Sequence, residues 1–429
     1  MKKIINRIKT SIWLYPVIYS LFALILSIGV TLIDKAYADE MSNYLNDLLY
    51  TSSSLARTVL GIVANAFITI AIFTFSTTMV VLTMYSSQFT PRVVENFLNN
   101  EVTMKSFGVF LSGFIYAITS LLFTNVGEEG NVVIAASVGV IYVIVGLVYF
   151  LVFIQSVSNH IQANDLISRL HKEALQKIRQ YGDFIKESEI ISEFKMQEII
   201  DNKNYVDVFG HSDGYIQEVD YKILQRIAKN SNCIVCFKKV VGQFITTETR
   251  ILTIYYEGHD EFDKDALDKI NECISVGNKK TQNQDFSFTI QKIVEIAVKA
   301  LSPGINDPNT AIHCLKIIGI LLRDLADIEK GYVILKEKEE YGFIISEAYD
   351  FKILLYDTYS QIMFYGQSDV SIVIAGLKSL RFARDKATRS NIEIIDDYAK
   401  HLFEKQADKG YSELEYSKIL NEYNDLINY

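Results

Sequence analysis

Positive charge is in short supply along this 429-residue chain: 42 Lys and Arg stand against 51 Asp and Glu, a formal charge of −9. Nucleic-acid binding needs clustered basic residues to meet phosphates, so no nucleic-acid partner is expected. Cysteine is scarce as well. Cys233, Cys236, Cys273 and Cys314 are the whole set, which gives no disulfide framework and suits a reducing compartment. Cys233 and Cys236 form C-x-x-C, but they lie in a run of strand character, where residues three apart point to opposite faces. No second pair completes four zinc ligands. The six histidines show no H-E-x-x-H spacing, and a Gly-rich phosphate loop, a G-x-S-x-G elbow and an H-x-E with paired cysteines are all missing. The expectation is no metal, no cofactor and no enzymatic activity.

What the chain has in excess is apolar residues, at 49%, with a positive mean hydropathy. Four stretches hold the excess: residues 12–33, 58–85, 106–124 and 131–155, none containing Asp, Glu, Lys or Arg. Each is about 19 residues or longer, near the roughly 20 that cross a bilayer core of about 30 Å. Four transmembrane helices are therefore predicted. The basic leader Lys2, Lys3, Arg7 and Lys9 precedes an apolar run longer than a signal's core of about 7–15 residues, so an uncleaved anchor is expected. The first connection (Asp34, Asp39, Glu40 and Asp47 against Lys35 and Arg57) and the third (Glu128, Glu129) are poor in positive charge. The short second one carries Arg92 and Lys105. The positive-inside rule then places both termini in the cytoplasm. Residues 1–155 hold eight basic and eight acidic residues, so the net charge lies in residues 156–429, with 34 basic against 43 acidic.

Within the apolar runs the lack of ionisable residues argues against proton relays, coupled transport and voltage sensing. The second run is distinguished by Asn65, Thr69, Ser76, Thr83 and Ser87, spaced 4, 7, 7 and 4, which keeps them near one helix face. They are candidate pore-lining residues of a homo-oligomer. The competing reading is helix association, since such side chains also bond across helices or back to their own carbonyls. Small pairs four apart, Gly108 with Ser112, Gly113 with Ala117 and Ala135 with Gly139, predict close helix interfaces. After the striped run, "SSQFTPRVVENFL" contains Pro91, which disfavours helix at Thr90. Val93, Val94, Phe97 and Leu98 suit a short interfacial segment.

The fold class expected is a membrane α-helical domain of four transmembrane helices at residues 1–155, followed by a cytoplasmic α+β domain that is mostly helical with a small β-module. Residues 156–205 read as a helical stalk, with Leu166, Leu170, Ala174, Ile178 and later Ile190, Phe194 and Ile199 on an amphipathic face. Residues 206–257 read as the β-module, from "YIQEV", "CIVCF", "QFITT" and "ILTIYY" around a helix at 221–229. Its order is similar to barrel-sandwich modules of the biotinyl and lipoyl type, although Glu248 stands where those place glycine and no lysine marks a hairpin tip. Residues 258–429 read as an all-helical bundle, with helices at 263–276, 286–301, 312–325, 372–383 and 391–405 and in "FKILLYDTYSQIMFYG".

Inside that bundle, "ALSPGINDPNTA" crowds turn residues between two apolar helices. Asp307 is a good N-cap and Pro308 a favoured first helical residue. Ser302, Pro303 and Gly304 supply the stop before it, making the corner of a helical hairpin. A helix N-terminus also attracts anions. Ser302, Gly304, Asn306 and Asp307 are therefore candidate ligand or subunit contacts, with the charge of Asp307 opposing a bare anion.

Taken in order, "SSQFTPRVVENFL", "SDGYIQEVDYKIL", "VGQFITTETRIL" and "ALSPGINDPNTA" resemble, over nearly the whole chain, a family of bacterial membrane proteins of unknown function. The resemblance implies a four-helix membrane part followed by a cytoplasmic domain in the bacterial inner membrane, and it implies no activity. Two functions fit these readings. One is an oligomeric channel or permeation pathway gated by the cytoplasmic domain. The other is a membrane-anchored sensor or scaffold whose cytoplasmic domain binds a ligand or protein partner.

Overall fold

A computed structural model describes residues 14–44, 51–88, 90, 101–123, 132–160, 163–186, 188–258, 261–335, 342–407 and 409–428. The basic leader, residues 91–98 and the pair Glu128 and Glu129 lie outside them. The chain divides into two compact units, Met1–Asp165 and Leu166–Tyr429.

The first unit consists of α1 (Leu14–Tyr44), α2 (Ser53–Gln88), α3 (Glu101–Phe123) and α4 (Ala135–His160), with two-residue strands β1 (Thr51–Ser52) and β2 (Val132–Val133) paired antiparallel. Each helix contains a span long and apolar enough to cross a membrane: Leu14–Ala36, Ser53–Met84, Glu101–Phe123 and Ala135–Ser158. The small pairs are buried at the contacts between these helices. A Cβ on Gly113 would stand 2.5 Å from the Phe67 ring, and one on Gly146 would stand 2.6 Å from it. Two absent side chains thus make the slot that the ring fills, which lets backbones approach as small residues do between membrane helices. Asp34 belongs to α1 rather than to the connection after it. Its Oδ1 accepts from Ile134 N at 2.9 Å and its Oδ2 from Ala135 N at 3.3 Å, so a buried carboxylate caps the positive end of α4. Tyr116 Oη donates to the Ala135 carbonyl at 2.9 Å and holds the same helix start.

The second unit opens with α5 (Ala163–Lys186), which buries Leu166, Leu170, Ala174 and Ile178. Then come β3 (Glu189–Ile191), α6 (Glu193–Ile200), β4 (Asn204–Phe209), β5 (Gly214–Val219), α7 (Tyr221–Asn230) and β6 (Cys233–Phe237). These are followed by β7 (Phe244–Ile245), β8 (Arg250–Tyr256), α8 (Lys264–Glu272) and β9 (Ile274–Gly277). The last part holds α9 (Phe286–Ala300), α10 (Pro308–Ala326), β10 (Tyr332–Leu335), β11 (Phe343–Glu347), α11 (Phe351–Gly366), α12 (Val370–Arg384), α13 (Arg389–Glu404) and α14 (Glu413–Ile427). A six-stranded sheet has the order β3-β10-β11-β6-β8-β4, with β11 parallel to β6 and the other neighbours antiparallel. A second sheet is β7-β5-β9. Aspartates cap helix after helix: Asp220, Asp263, Asp285, Asp307, Asp350 and Asp369 accept from the first-turn amides of α7, α8, α9, α10, α11 and α12. Part of the unit's acidic excess therefore satisfies orphan N–H groups.

Four sequence readings change here. The helical stalk breaks after α5, because Ile190 joins strand β3, and Phe194 is 81% exposed rather than on a buried face. The helix expected at 263–276 ends at Glu272, and Val276 pairs with Ile216 in β9. The barrel-sandwich likeness gives way because β4, β6 and β8 join a sheet with β3, β10 and β11, while β5 and β7 join β9. The all-helical reading of 258–429 fails at "YVIL" and "FIISE", which are β10 and β11. Those runs are apolar on both faces, so they lack the alternation that marks a half-exposed strand.

In the bundle α10 packs against α12 where Gly319 has no side chain; a Cβ there would stand 2.5 Å from the Ser379 carbonyl oxygen. Tyr359 Oη hydrogen-bonds Ser379 Oγ at 2.6 Å, and Ser379 Oγ donates to the Leu315 carbonyl. The close approach and a buried polar network thus occupy one place.

Candidate functional site

On α2 the sequence stripe faces outward. Asn65, Thr69, Ser76 and Thr83 are exposed on the first unit, whereas Val63, Ala64, Phe67, Ala71 and Val81 are buried. The side chain of Ser87 lies outside the described residues. Ile72 and Met79 fall between the polar residues on the same face, and Ile62, Phe73, Phe75 and Val80 flank it, all exposed. The stripe is a narrow polar band on an apolar surface.

Its members differ in how they are satisfied. Thr69 Oγ1 donates to the Asn65 carbonyl at 2.7 Å and Thr83 Oγ1 to the Met79 carbonyl at 2.9 Å. A hydroxyl bonded back into its own helix tolerates lipid. The Asn65 amide and the Ser76 hydroxyl make no hydrogen bond among the described residues. Depth sharpens the difference. With a rise of about 1.5 Å per residue, Asn65 lies roughly 5 Å and Ser76 roughly 11 Å from the middle of the span Ser53–Met84. Both lie within about 15 Å of that middle, half the thickness of a bilayer core, while Thr83 lies roughly 22 Å from it. A buried amide without a partner costs about 4–8 kcal/mol on the hydrocarbon scale. Asn65 is therefore the residue that decides what this face meets.

The hairpin corner is closed by its own chain. Asp307 Oδ1 accepts from Thr310 N at 3.1 Å and Oδ2 from Thr310 Oγ1 at 2.6 Å. Ser302 Oγ donates to the Lys299 carbonyl at 2.7 Å, and the amides of Ile305, Asn306 and Asp307 donate to Ser302, Ser302 and Ala300 carbonyls. Gly304 is exposed, with open space around it. The four candidates are adjacent, and the polar side chains of Ser302 and Asp307 are engaged within the turn. Asn306 sits at φ +50°, the left-handed region that asparagine tolerates and alanine does not. Asn306→Ala is accordingly expected to destabilise the protein by about 1 kcal/mol while Asn306→Gly is neutral or mildly stabilising. Thermal melting of the two variants checks this; equal melting of both would contradict it.

A site that the sequence did not reveal lies in the second unit: a cavity of about 200 Å³ lined by Tyr181, Phe184, Tyr221, Phe286 and Tyr349, with Asp285, Glu347 and Lys177. The rings touch in series, with centroids 5.1 Å apart for Tyr181 and Phe286, 4.8 Å for Phe286 and Tyr349, and 5.6 Å for Phe184 and Tyr221. Tyr181 Oη accepts from Tyr349 N at 3.0 Å. Burial pushes the Tyr221 and Tyr349 phenols up to about 12, so both remain neutral. Asp285 is 3% exposed. Its Oδ1 accepts from Phe288 N at 3.0 Å and from Ser287 Oγ at 2.6 Å, capping α9, while Oδ2 has no partner. Lys177 Nζ is turned to the Asn283 carbonyl at 2.9 Å, and Glu347 is exposed. The Asp285 cap was open to sequence reasoning as an aspartate before an apolar run. The rings come from α5, α7, α9 and the loop after β11, and nothing in local spacing joins them.

Cys233 and Cys236 point into different clusters on opposite faces of β6. Burial holds the Cys233 and Cys314 thiols up at about 12 and Cys273 at about 11, which leaves them protonated. Among the described residues no group of three His, Cys, Asp or Glu is placed to hold a metal ion.

A family model described as "Predicted membrane protein (DUF2254)" matches residues 9–381. Similar proteins include Uncharacterized protein Mb1321c of Mycobacterium bovis and Uncharacterized protein Rv1290c of Mycobacterium tuberculosis. Each is 23% identical over 325 residues, which cover 73% of this chain and 60% of the relative. The chain thus spans less than two thirds of these relatives' length. No solved structure matches it.

Proposed function

The chain belongs to this family of predicted membrane proteins, and from that premise we propose that it forms a homo-oligomeric permeation pathway lined by α2. The pathway carries small polar solutes or ions across a bacterial inner membrane. Both termini are cytoplasmic, and residues 166–429 form the cytoplasmic part that governs the pathway. The observation that carries this reading is Asn65, an unpartnered amide near the middle of a membrane-length span, on the outside of the four-helix unit. Lipid cannot satisfy it, so a neighbouring copy or water must. Arranging copies around an axis with the Asn65 and Ser76 faces inward supplies both, and the uncharged lining suits polar solutes better than a charge-coupled transporter.

The anchored-sensor reading keeps support from the cavity of the second unit, whose aromatic lining and nearby buried carboxylate suit a small ligand. Reconstitution separates the two. Vesicles carrying the purified protein are expected to swell faster than protein-free vesicles in glycerol or KCl; no difference in either solute would favour the sensor.

A further inference from the structure

The aromatic cavity of the second unit has a chemistry of its own, independent of whether the membrane helices conduct. Its lining carries two carboxylates, Asp285 and Glu347, against one ammonium, Lys177, which is already directed at the Asn283 carbonyl. Asp285 Oδ2 is sealed off against Gly242, where an added Cβ would collide with it, and has no hydrogen-bond partner, so the carboxylate acts on the cavity through its charge. A buried carboxylate oxygen in that condition calls for a donor or a positive charge. Five aromatic rings surround the space, and ring faces attract cations by their quadrupole, most strongly where water is excluded. At about 200 Å³ the cavity is smaller than the roughly 300–1,000 Å³ of pockets for drug-sized ligands.

We propose that this cavity is a binding site for a small organic cation, an amine or quaternary ammonium with apolar substituents, held by the rings of Tyr181, Phe184, Tyr221, Phe286 and Tyr349 and neutralised by Asp285. A phosphate or carboxylate ligand would meet Asp285 and Glu347 as like charges. A neutral apolar ligand would leave the charge of Asp285 uncompensated. A cation with apolar groups answers both the rings and the negative charge of the lining.

The test uses the full-length protein in detergent and titration calorimetry with choline and its uncharged isostere, 3,3-dimethylbutanol. Choline is expected to bind at least about tenfold more tightly than the isostere, the size of one desolvated charge contact. Asp285→Asn keeps an oxygen to accept from Phe288 N, so the α9 cap survives, and it should weaken choline about tenfold without changing the isostere. Phe184→Leu lies away from that cap and should weaken choline severalfold while leaving the fold intact. Equal affinity for choline and the isostere, no choline binding at millimolar concentration, or unchanged choline affinity in Phe184→Leu would each overturn the proposal. Should Asp285→Asn fail to fold, the wild-type ratio and Phe184→Leu decide it alone.

Discussion

Vesicles carrying the Asn65→Leu/Ser76→Leu double variant are expected to swell no faster than protein-free vesicles, while expression, assembly size and melting temperature stay at wild-type values. Both residues are exposed on α2, and neither side chain has a hydrogen-bond partner among the described residues. Both fall within the central 30 Å or so of a helix of membrane-spanning length. Leucine is a good helix former and is welcome in lipid, so α2 itself is not weakened. A path lined there by leucine instead of amide and hydroxyl loses its water and closes by dewetting. The alternatives give other results. If the face met lipid, removing an unsatisfied amide would raise stability by some kcal/mol and leave transport untouched. If Asn65 only joined subunits, the assembly would come apart, since such contacts contribute about 0.6–2 kcal/mol each.

The largest effect on stability is expected at Gly319. Helix propensity alone makes Gly→Ala favourable by about 1 kcal/mol. Here the added Cβ would stand 2.5 Å from the Ser379 carbonyl oxygen, which is backbone and cannot turn aside. Overpacking costs about 1–3 kcal/mol, and separating α10 from α12 strains the buried Tyr359, Ser379 and Leu315 hydrogen bonds, at about 1–3 kcal/mol for each group left unpaired. The net loss of about 3 kcal/mol corresponds to a melting temperature lower by roughly 6–12 °C. Gly304→Ala is the control: the glycine has open space around it, and its substitution should stay within about 0.5 kcal/mol. A Gly319→Ala protein that melts with the wild type would show that the helices slide apart at little cost.

The four helices of membrane-spanning length were legible because a long apolar run without charge is visible in the sequence itself. The hairpin corner was legible because a cap and a proline act within four residues of each other; the left-handed Asn306 was not, since asparagine at a turn permits several backbone conformations. Asp34 was misplaced for a physical reason. A carboxylate ordinarily ends an apolar run, and its partners, Ile134 N and Ala135 N, stand a hundred residues away. β10 and β11 were lost because strands covered on both faces carry no period. The stripe on α2 could be read as a face, but only packing shows that this face is the outward one. The ring cavity is the limiting case: Tyr181 and Tyr349 meet through one hydrogen bond across 168 positions.

The measurement closest to the central claim is the reactivity of single cysteines with a water-soluble thiol reagent in the reconstituted protein. The four native cysteines are buried and, with burial holding their thiols protonated, give a low background. Thr69→Cys and Ser76→Cys should react readily, as they would on a water-filled axis. Phe75→Cys, exposed off the stripe, should be shielded by lipid, and Val81→Cys, buried in the four-helix unit, by protein. Reaction at the two stripe positions alone is the expected result; stripe cysteines as slow as those at 75 and 81 would contradict a permeation pathway along α2.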